Sequence, residues 1–150
     1  MISLIRTDSG NNDFIQLVKK LDADLALRDG EEHSFYSQFN KVDLIRHVVL
    51  SYQNNESISC GAIKEYDSKT MEVKRMFTLP ENRGKGIAGL ILVELENWAK
   101  EMNFKKYILE TGEKQAEAIG LYKKSGYVII SNYGQYTGIE NSVCFMKNLK

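Results

Sequence analysis

The segment Arg83-Gly84-Lys85-Gly86-Ile87-Ala88 carries the residue types and spacing best suited to chemistry. Gly84 and Gly86 lack a Cβ, so the backbone can take unusual angles there and let an anion come close. Arg83 and Lys85 add two cationic side chains. Downstream, Ile87, Ile91, Leu95, Trp98 and Met102 recur at helical spacing, so a helix opens on the loop. Its first turn offers unpaired N–H groups and the positive end of the helix dipole. Upstream, Val73 to Leu79 is an apolar-rich run closed by Pro80, the only proline. Strand, glycine loop and helix in that order suit a socket for phosphate, with a plain turn as the bland alternative.

The spacing argues against the two commonest nucleotide loops. A Walker loop needs Gly, four residues, then Gly-Lys-Ser/Thr, and no such run occurs. Gly84, Gly86 and Gly89 do fit Gly-x-Gly-x-x-Gly, and Glu110 could mimic the ribose-binding acid at longer range. A dinucleotide fold needs several βαβ units, however, and one is legible here. A nucleotide-binding oxidoreductase is the weaker reading.

A second patterned segment is Gln115-Ala116-Glu117-Ala118-Ile119-Gly120-Leu121-Tyr122-Lys123-Lys124-Ser125-Gly126-Tyr127. It reads as a short helix followed by Gly-Tyr opening a strand. Together the two segments resemble the GCN5-related N-acetyltransferase (GNAT) family. That family's central motif, Arg/Gln-x-x-Gly-x-Gly/Ala, is matched by Arg83, Gly86 and Ala88. The order and separation of the two segments agree as well, with one strand, Lys106 to Glu110, between them. The resemblance covers residues 70 to 130, and the flanks fit it by pattern.

The resemblance implies acetyl-CoA-dependent N-acetylation of a primary amine by direct transfer, with acetyl-CoA as co-substrate and no metal. The cofactor's pyrophosphate would rest on Arg83, Gly84, Lys85, Gly86, Ile87 and Ala88, largely through backbone N–H groups. Its amide-rich arm would pair with the end of the preceding strand, Met76, Phe77 and Thr78, as a peptide does. Gln115 falls where many members have an Asn on that arm, and Lys124 is counted among the cofactor contacts. Tyr122 takes the family's position for protonating the departing thiolate; the bland alternative is a half-buried helix tyrosine. Two carboxylates, Glu72 and Glu110, are candidates to accept the amine's proton. Glu72 is preferred, because alternation puts it on one face with Lys74, Met76 and Thr78. Pairing of Glu72 with Lys74 or Arg75, and capping by Glu110 of a helix near Glu113, are the structural alternatives. Asn132, Tyr133 and Tyr136 fall in the region that borders the acceptor pocket of such enzymes and are candidate substrate contacts, with a packed loop as the structural alternative.

The elements that must position these residues are legible in outline. Ile2 to Arg6 alternates as a short strand. Phe14, Leu17, Val18, Leu21 and Leu25 recur at helical spacing behind Asn11 or Asn12 as cap. Ala26 to Asn40 reads as a loop with a second short helix around Phe35, Tyr36 and Phe39. His47–Tyr52, Ile58–Tyr66 and Glu72–Leu79 read as three strands joined by turns at Asn54-Asn55 and Asp67-Ser68. Helix 86–102, strand 106–110, helix 115–124 and strands near 127–133 and 142–147 follow, with Gly134 and Gly138 between the last two. The expected architecture is a single α+β domain over residues 1–150: a mixed, mostly antiparallel sheet flanked by helices and splayed between its two central strands.

Composition sets the remaining bounds. At 150 residues the chain can bury a real core, and 20 basic side chains balance 20 acidic ones. Nothing in that balance attracts nucleic acid or an anionic membrane. Met1 to Arg6 lacks the apolar core of a signal peptide, and no stretch has membrane-spanning length. Cys60 and Cys144 lie far apart without metal-ligand spacing, which suits a reducing cytoplasmic setting. His33 and His47 have no acid-and-nucleophile pattern around them, and Cys144 sits in an apolar run as a small hydrophobe. The acceptor is not legible, and a homodimer is compatible with the composition. A non-catalytic acyl-CoA-binding sensor, which would keep the loop but not need Tyr122, stands as the other alternative.

Overall fold

The computed structural model describes residues 1–29 and 45–149. In chain order these form β1 (Ser3–Thr7), α1 (Asn12–Asp29), β2 (His47–Gln53), β3 (Glu56–Asp67), β4 (Thr70–Thr78), α2 (Ile87–Glu101), β5 (Lys106–Gly112), α3 (Ala116–Lys124), β6 (Val128–Ile130) and β7 (Ser142–Asn148). The strands make one sheet in the order β1-β2-β3-β4-β5-β7-β6. Every neighbouring pair is antiparallel except β4 and β5. This is the expected α+β, mostly antiparallel arrangement.

Local chemistry accounts for most boundaries. The side-chain oxygen of Asn11 accepts the N–H groups of Asp13 (2.8 Å) and Phe14 (3.2 Å), capping α1. Asn54 and Asn55 take positive φ values of 53° and 65°, the left-handed pair of a tight hairpin turn. Helix α1 runs on to Asp29, past Ala26, where a loop was expected; His33, Phe35, Tyr36 and Phe39 lie outside the described residues. The strand expected over 127–133 spans only Val128–Ile130, because the chain turns away into a loop that Asn132 pins by donating to the Ile139 carbonyl at 2.8 Å.

Period-two alternation divides the core between the two sheet faces. Val48, Leu50, Cys60, Ala62 and Phe77 pack beneath Phe14, Leu17 and Val18 of α1. Val49, Ile63, Val73, Tyr107, Leu109 and Phe145 pack beneath Ile91, Leu92 and Leu95 of α2. Each Val, Leu, Ile or Phe among them contributes about 1.5–3 kcal/mol on burial.

Alternation breaks once where it matters. Cys60 pairs with Phe77 and Ala62 with Lys74, so Gly61 alone faces both Arg75 and Met76. Arg75 holds a left-handed φ of 61° in this β-bulge. Gly61 is required, since a Cβ there would lie 2.5 Å from the Met76 sulfur and 2.7 Å from Ile91 Cγ2. Glu72 and Lys74 therefore lie on the α1 face, whereas Met76 joins Val73 on the α2 face. The expectation that Glu72, Lys74, Met76 and Thr78 share one face is corrected: the extra residue shifts the phase.

Beyond the bulge the sheet forks. β4 and β5 pair only from Thr70↔Lys106 to Glu72↔Ile108. After that β4 follows β3 to Thr78 and β5 follows β7 to Gly112. The bulge bends β4 away, and a slot opens between the two central strands.

Candidate active site

The slot widens into a cleft of about 540 Å³ walled by β4, the glycine loop, the start of α2, the end of β5 and helix α3. At one end Pro80–Asn82 makes a single tight turn, and Gly84 and Gly86 follow with φ of 77° and 79°. Only glycine takes those angles without strain. Gly86 is the helix cap, its carbonyl accepting the Leu90 N–H at 3.3 Å. The N–H groups of the first turn, at Ile87, Ala88 and Gly89, have no intrahelical acceptor, and all three residues line the cleft.

The cations divide. Arg83 donates through Nε to the Thr78 carbonyl at 2.9 Å, lies over the Phe77 ring at 5.5 Å and sits 3.6 Å from Asp24. It is a brace for the strand end as well as a source of charge at the cleft. Lys85 is exposed and does not line the cleft, whereas Lys124, with Gln115, lines it from α3. Met76, Phe77 and Thr78 line it from β4, whose edge beyond Glu72 pairs with no strand among the described residues.

Tyr122 faces the cleft from α3 with 5% of its surface exposed. Its ring packs 5.7 Å from Phe145 and 5.8 Å from Tyr127. Burial, and then the charge of Glu110, raises its pKa above the ordinary phenol value, so the hydroxyl keeps its proton.

Both carboxylates lie on the α1 face at the fork. Glu72, in the last β4–β5 pair, accepts the Tyr133 hydroxyl at 2.7 Å and lies 3.7 Å from Lys74 Nζ. Glu110, two residues past the fork, accepts the Ser142 hydroxyl at 2.6 Å. α3 begins at Ala116, so Glu110 does not cap a helix at Glu113. Of the three candidate acceptor contacts, Tyr136 lines the cleft and Asn132 and Tyr133 do not. The Tyr133 hydroxyl is given to Glu72, and its ring packs edge-on to Tyr66 and Tyr136.

Several cleft residues escaped the sequence reading. Lys74 and Arg75 line the cleft, and Arg75 reaches Asp22 of α1 at 3.5 Å with its side chain 2% exposed. The bulge aims it there, and no spacing rule in the sequence announces a bulge. Ser142 was equally silent. Burial pushes the Cys60 thiol up to about 12 and the Cys144 thiol up to about 11, so neither offers thiolate near neutral pH. His47 is half-buried, edge-on to Trp98 at 4.8 Å and remote from the cleft lining. Among the described residues, no helix is long and apolar enough to cross a membrane, and no three His, Cys, Asp or Glu side chains cluster to hold a metal ion.

Comparison with known proteins gives a consistent picture. The family model described as Acetyltransferase (GNAT) family matches residues 14–127. An IAA acetyltransferase of Azospirillum brasilense is 28% identical over 139 residues, 90% of each chain. The uncharacterized N-acetyltransferase YsnE of Bacillus subtilis is 30% identical over 66% of this chain and 67% of its own. The fold is shared with a Klebsiella pneumoniae structure assigned provisionally to the acyl-CoA N-acyltransferases (TM-score 0.84, 24% identity, 100% and 99% coverage). It is also shared with a GNAT family acetyltransferase of Elizabethkingia anophelis with acetyl-CoA bound (TM-score 0.69, 20% identity, 99% and 98% coverage).

Proposed function

The chain belongs to the acetyltransferase (GNAT) family, and from that premise we propose that it moves the acetyl group of acetyl-CoA directly onto the nitrogen of a small primary amine. The observation that carries this reading is the fork between β4 and β5, with a phosphate-suited helix start at one end and Tyr122 on its wall. An added Cβ at Gly84, Gly86 or Gly89 would meet nothing within 4 Å, so the loop leaves room for a pyrophosphate against its backbone. The unpaired β4 edge at Met76, Phe77 and Thr78 suits the amide-rich arm. The bound acetyl-CoA of the Elizabethkingia anophelis structure supports this donor.

The amine attacks the thioester carbonyl carbon, a C–N bond forms and the C–S bond breaks. Tyr122, kept protonated by burial, gives its proton to the departing thiolate. Both carboxylates line the cleft; Glu110 is taken as the base because it lies two residues beyond the last β4–β5 pair, on the open slot, whereas Glu72 sits within that pair.

The test is release of coenzyme A thiol from acetyl-CoA across polyamines, amino acids, arylalkylamines and peptide N-termini. Turnover on one class is expected, and Tyr122→Phe should lower kcat roughly a hundredfold with little change in acetyl-CoA affinity. Tight acetyl-CoA binding without turnover on any amine would mark the chain as a sensor.

A further inference from the structure

We infer that Glu96, with Tyr127 and Lys147, is a positioning device for Tyr122, set on the side of that residue away from the reacting atoms. The inference rests on the acid role of Tyr122 proposed above. Glu96 is a charged residue of α2 with only 6% of its surface exposed. Its two oxygens are both taken: one accepts the Tyr127 hydroxyl at 3.1 Å and the other the Lys147 ammonium at 2.9 Å. Lys147 also donates to the Ser125 carbonyl at 3.0 Å and lies 5.6 Å over the Tyr127 ring. One ion pair thus ties α2, the end of α3 and β7.

Its target is set by how α3 ends. Gly126, at φ 91°, reverses the chain, and the Tyr127 N–H returns to the Tyr122 carbonyl at 3.0 Å. The ring of Tyr127 packs on the ring of Tyr122 at 5.8 Å. Tyr122 is thereby held by Tyr127 at both backbone and ring, while the Tyr127 hydroxyl is anchored to Glu96. A buried ion pair between a helix and a sheet is costly to desolvate, and apolar residues would fill this space at less cost. What the pair adds is a directional hold on Tyr127, and through it on the angle of the Tyr122 hydroxyl. Small displacements of a reacting group cost large factors in rate.

The experiment is a double-mutant cycle on kcat, with acetyl-CoA and the fastest amine of the panel. Glu96→Gln and Tyr127→Phe should each lower kcat roughly tenfold with the acetyl-CoA KM little changed. Tyr127→Phe keeps the ring contact and serves if Glu96→Gln does not fold; Lys147→Arg should retain the rate. In the Tyr122→Phe background Glu96→Gln should cost nothing more, because the residue through which it acts is gone. The ultraviolet absorbance of the bound coenzyme A thiolate, titrated with pH, runs the same cycle without an acceptor. Its apparent pKa should rise in Tyr122→Phe and in Glu96→Gln, and no further in the double variant. Independent, multiplicative effects overturn the inference and leave the acid role of Tyr122 intact. Wild-type kcat in both Glu96→Gln and Tyr127→Phe also overturns it. Wild-type kcat in Tyr122→Phe overturns the acid role, and the inference with it.

Discussion

At the scale of single residues, two oxygens separate the candidate bases. Glu72 sits in the last paired position of β4 and β5, where it accepts the Tyr133 hydroxyl and lies 3.7 Å from the Lys74 ammonium. Glu110 shares its surroundings with Ser142 and with the cleft. Glu110→Gln is therefore expected to remove the limb of the rate profile that rises with pH and to lower kcat by about a hundredfold. Glu72→Gln should keep that limb. Two acceptors of different basicity are needed, since the amine titrates too. A rising limb that survives in Glu110→Gln would return the role to Glu72 or to water. A second residue-scale expectation concerns Tyr107, whose buried hydroxyl finds no hydrogen-bond partner among the described residues. Tyr107→Phe removes that unmet group and should leave stability unchanged or raise it by about 1 kcal/mol in urea unfolding. A loss of that size would show that the hydroxyl has a partner in solution.

At the scale of elements, the start of α2 allows stability and binding to be moved in opposite directions. Gly84 and Gly86 occupy left-handed angles, so a substitution there mixes backbone strain with any loss of binding. Gly89 sits in the first helical turn and lines the cleft, and an added Cβ would meet nothing within 4 Å. Gly89→Ala should stabilise the helix by about 0.5–1 kcal/mol. If the first-turn N–H groups hold the pyrophosphate, the same methyl should weaken coenzyme A binding on the order of tenfold, about 1.4 kcal/mol. Calorimetry and thermal unfolding of one variant give both readings. A protein that is more stable and binds coenzyme A with unchanged Kd would remove the loop from the cofactor site.

At the scale of the whole molecule, buried phenols link stability to alkaline pH. Tyr52, Tyr107, Tyr122, Tyr127, Tyr133 and Tyr136 all have pKa values raised above 10.0, with burial the largest cause in each. The unfolded chain therefore releases these protons first as pH rises. The phenols' contribution is fully present below pH 10.0 and is lost as pH climbs through the raised values. Unfolding free energy should be insensitive to phenol ionisation up to about pH 9 and fall steeply above about pH 10. A steep loss near neutral pH would contradict this burial.

Short-range rules carried much of the reading. Two glycines between an apolar run and a helical repeat specify strand, loop and helix, because Cβ sterics and helical periodicity act over a few residues. The Gly126-Tyr127 step reads as a helix end for the same reason. The sequence thus determined the order of the elements, the α+β class and the phosphate-suited loop, while Tyr122 was singled out by the family resemblance. Tertiary structure alone decided which residues meet. Glu72 finds Tyr133 across 61 positions and Glu110 finds Ser142 across 32. The bulge at Arg75 turned the face that alternation assigned to Met76, and it exists only because β3 offers Gly61 opposite two residues. The fork depends on how long β4 and β5 remain paired, and Glu96 reaches Tyr127 only when α2 lies across the sheet. Such pairings are set by packing between distant segments, for which a single sequence carries no local signal.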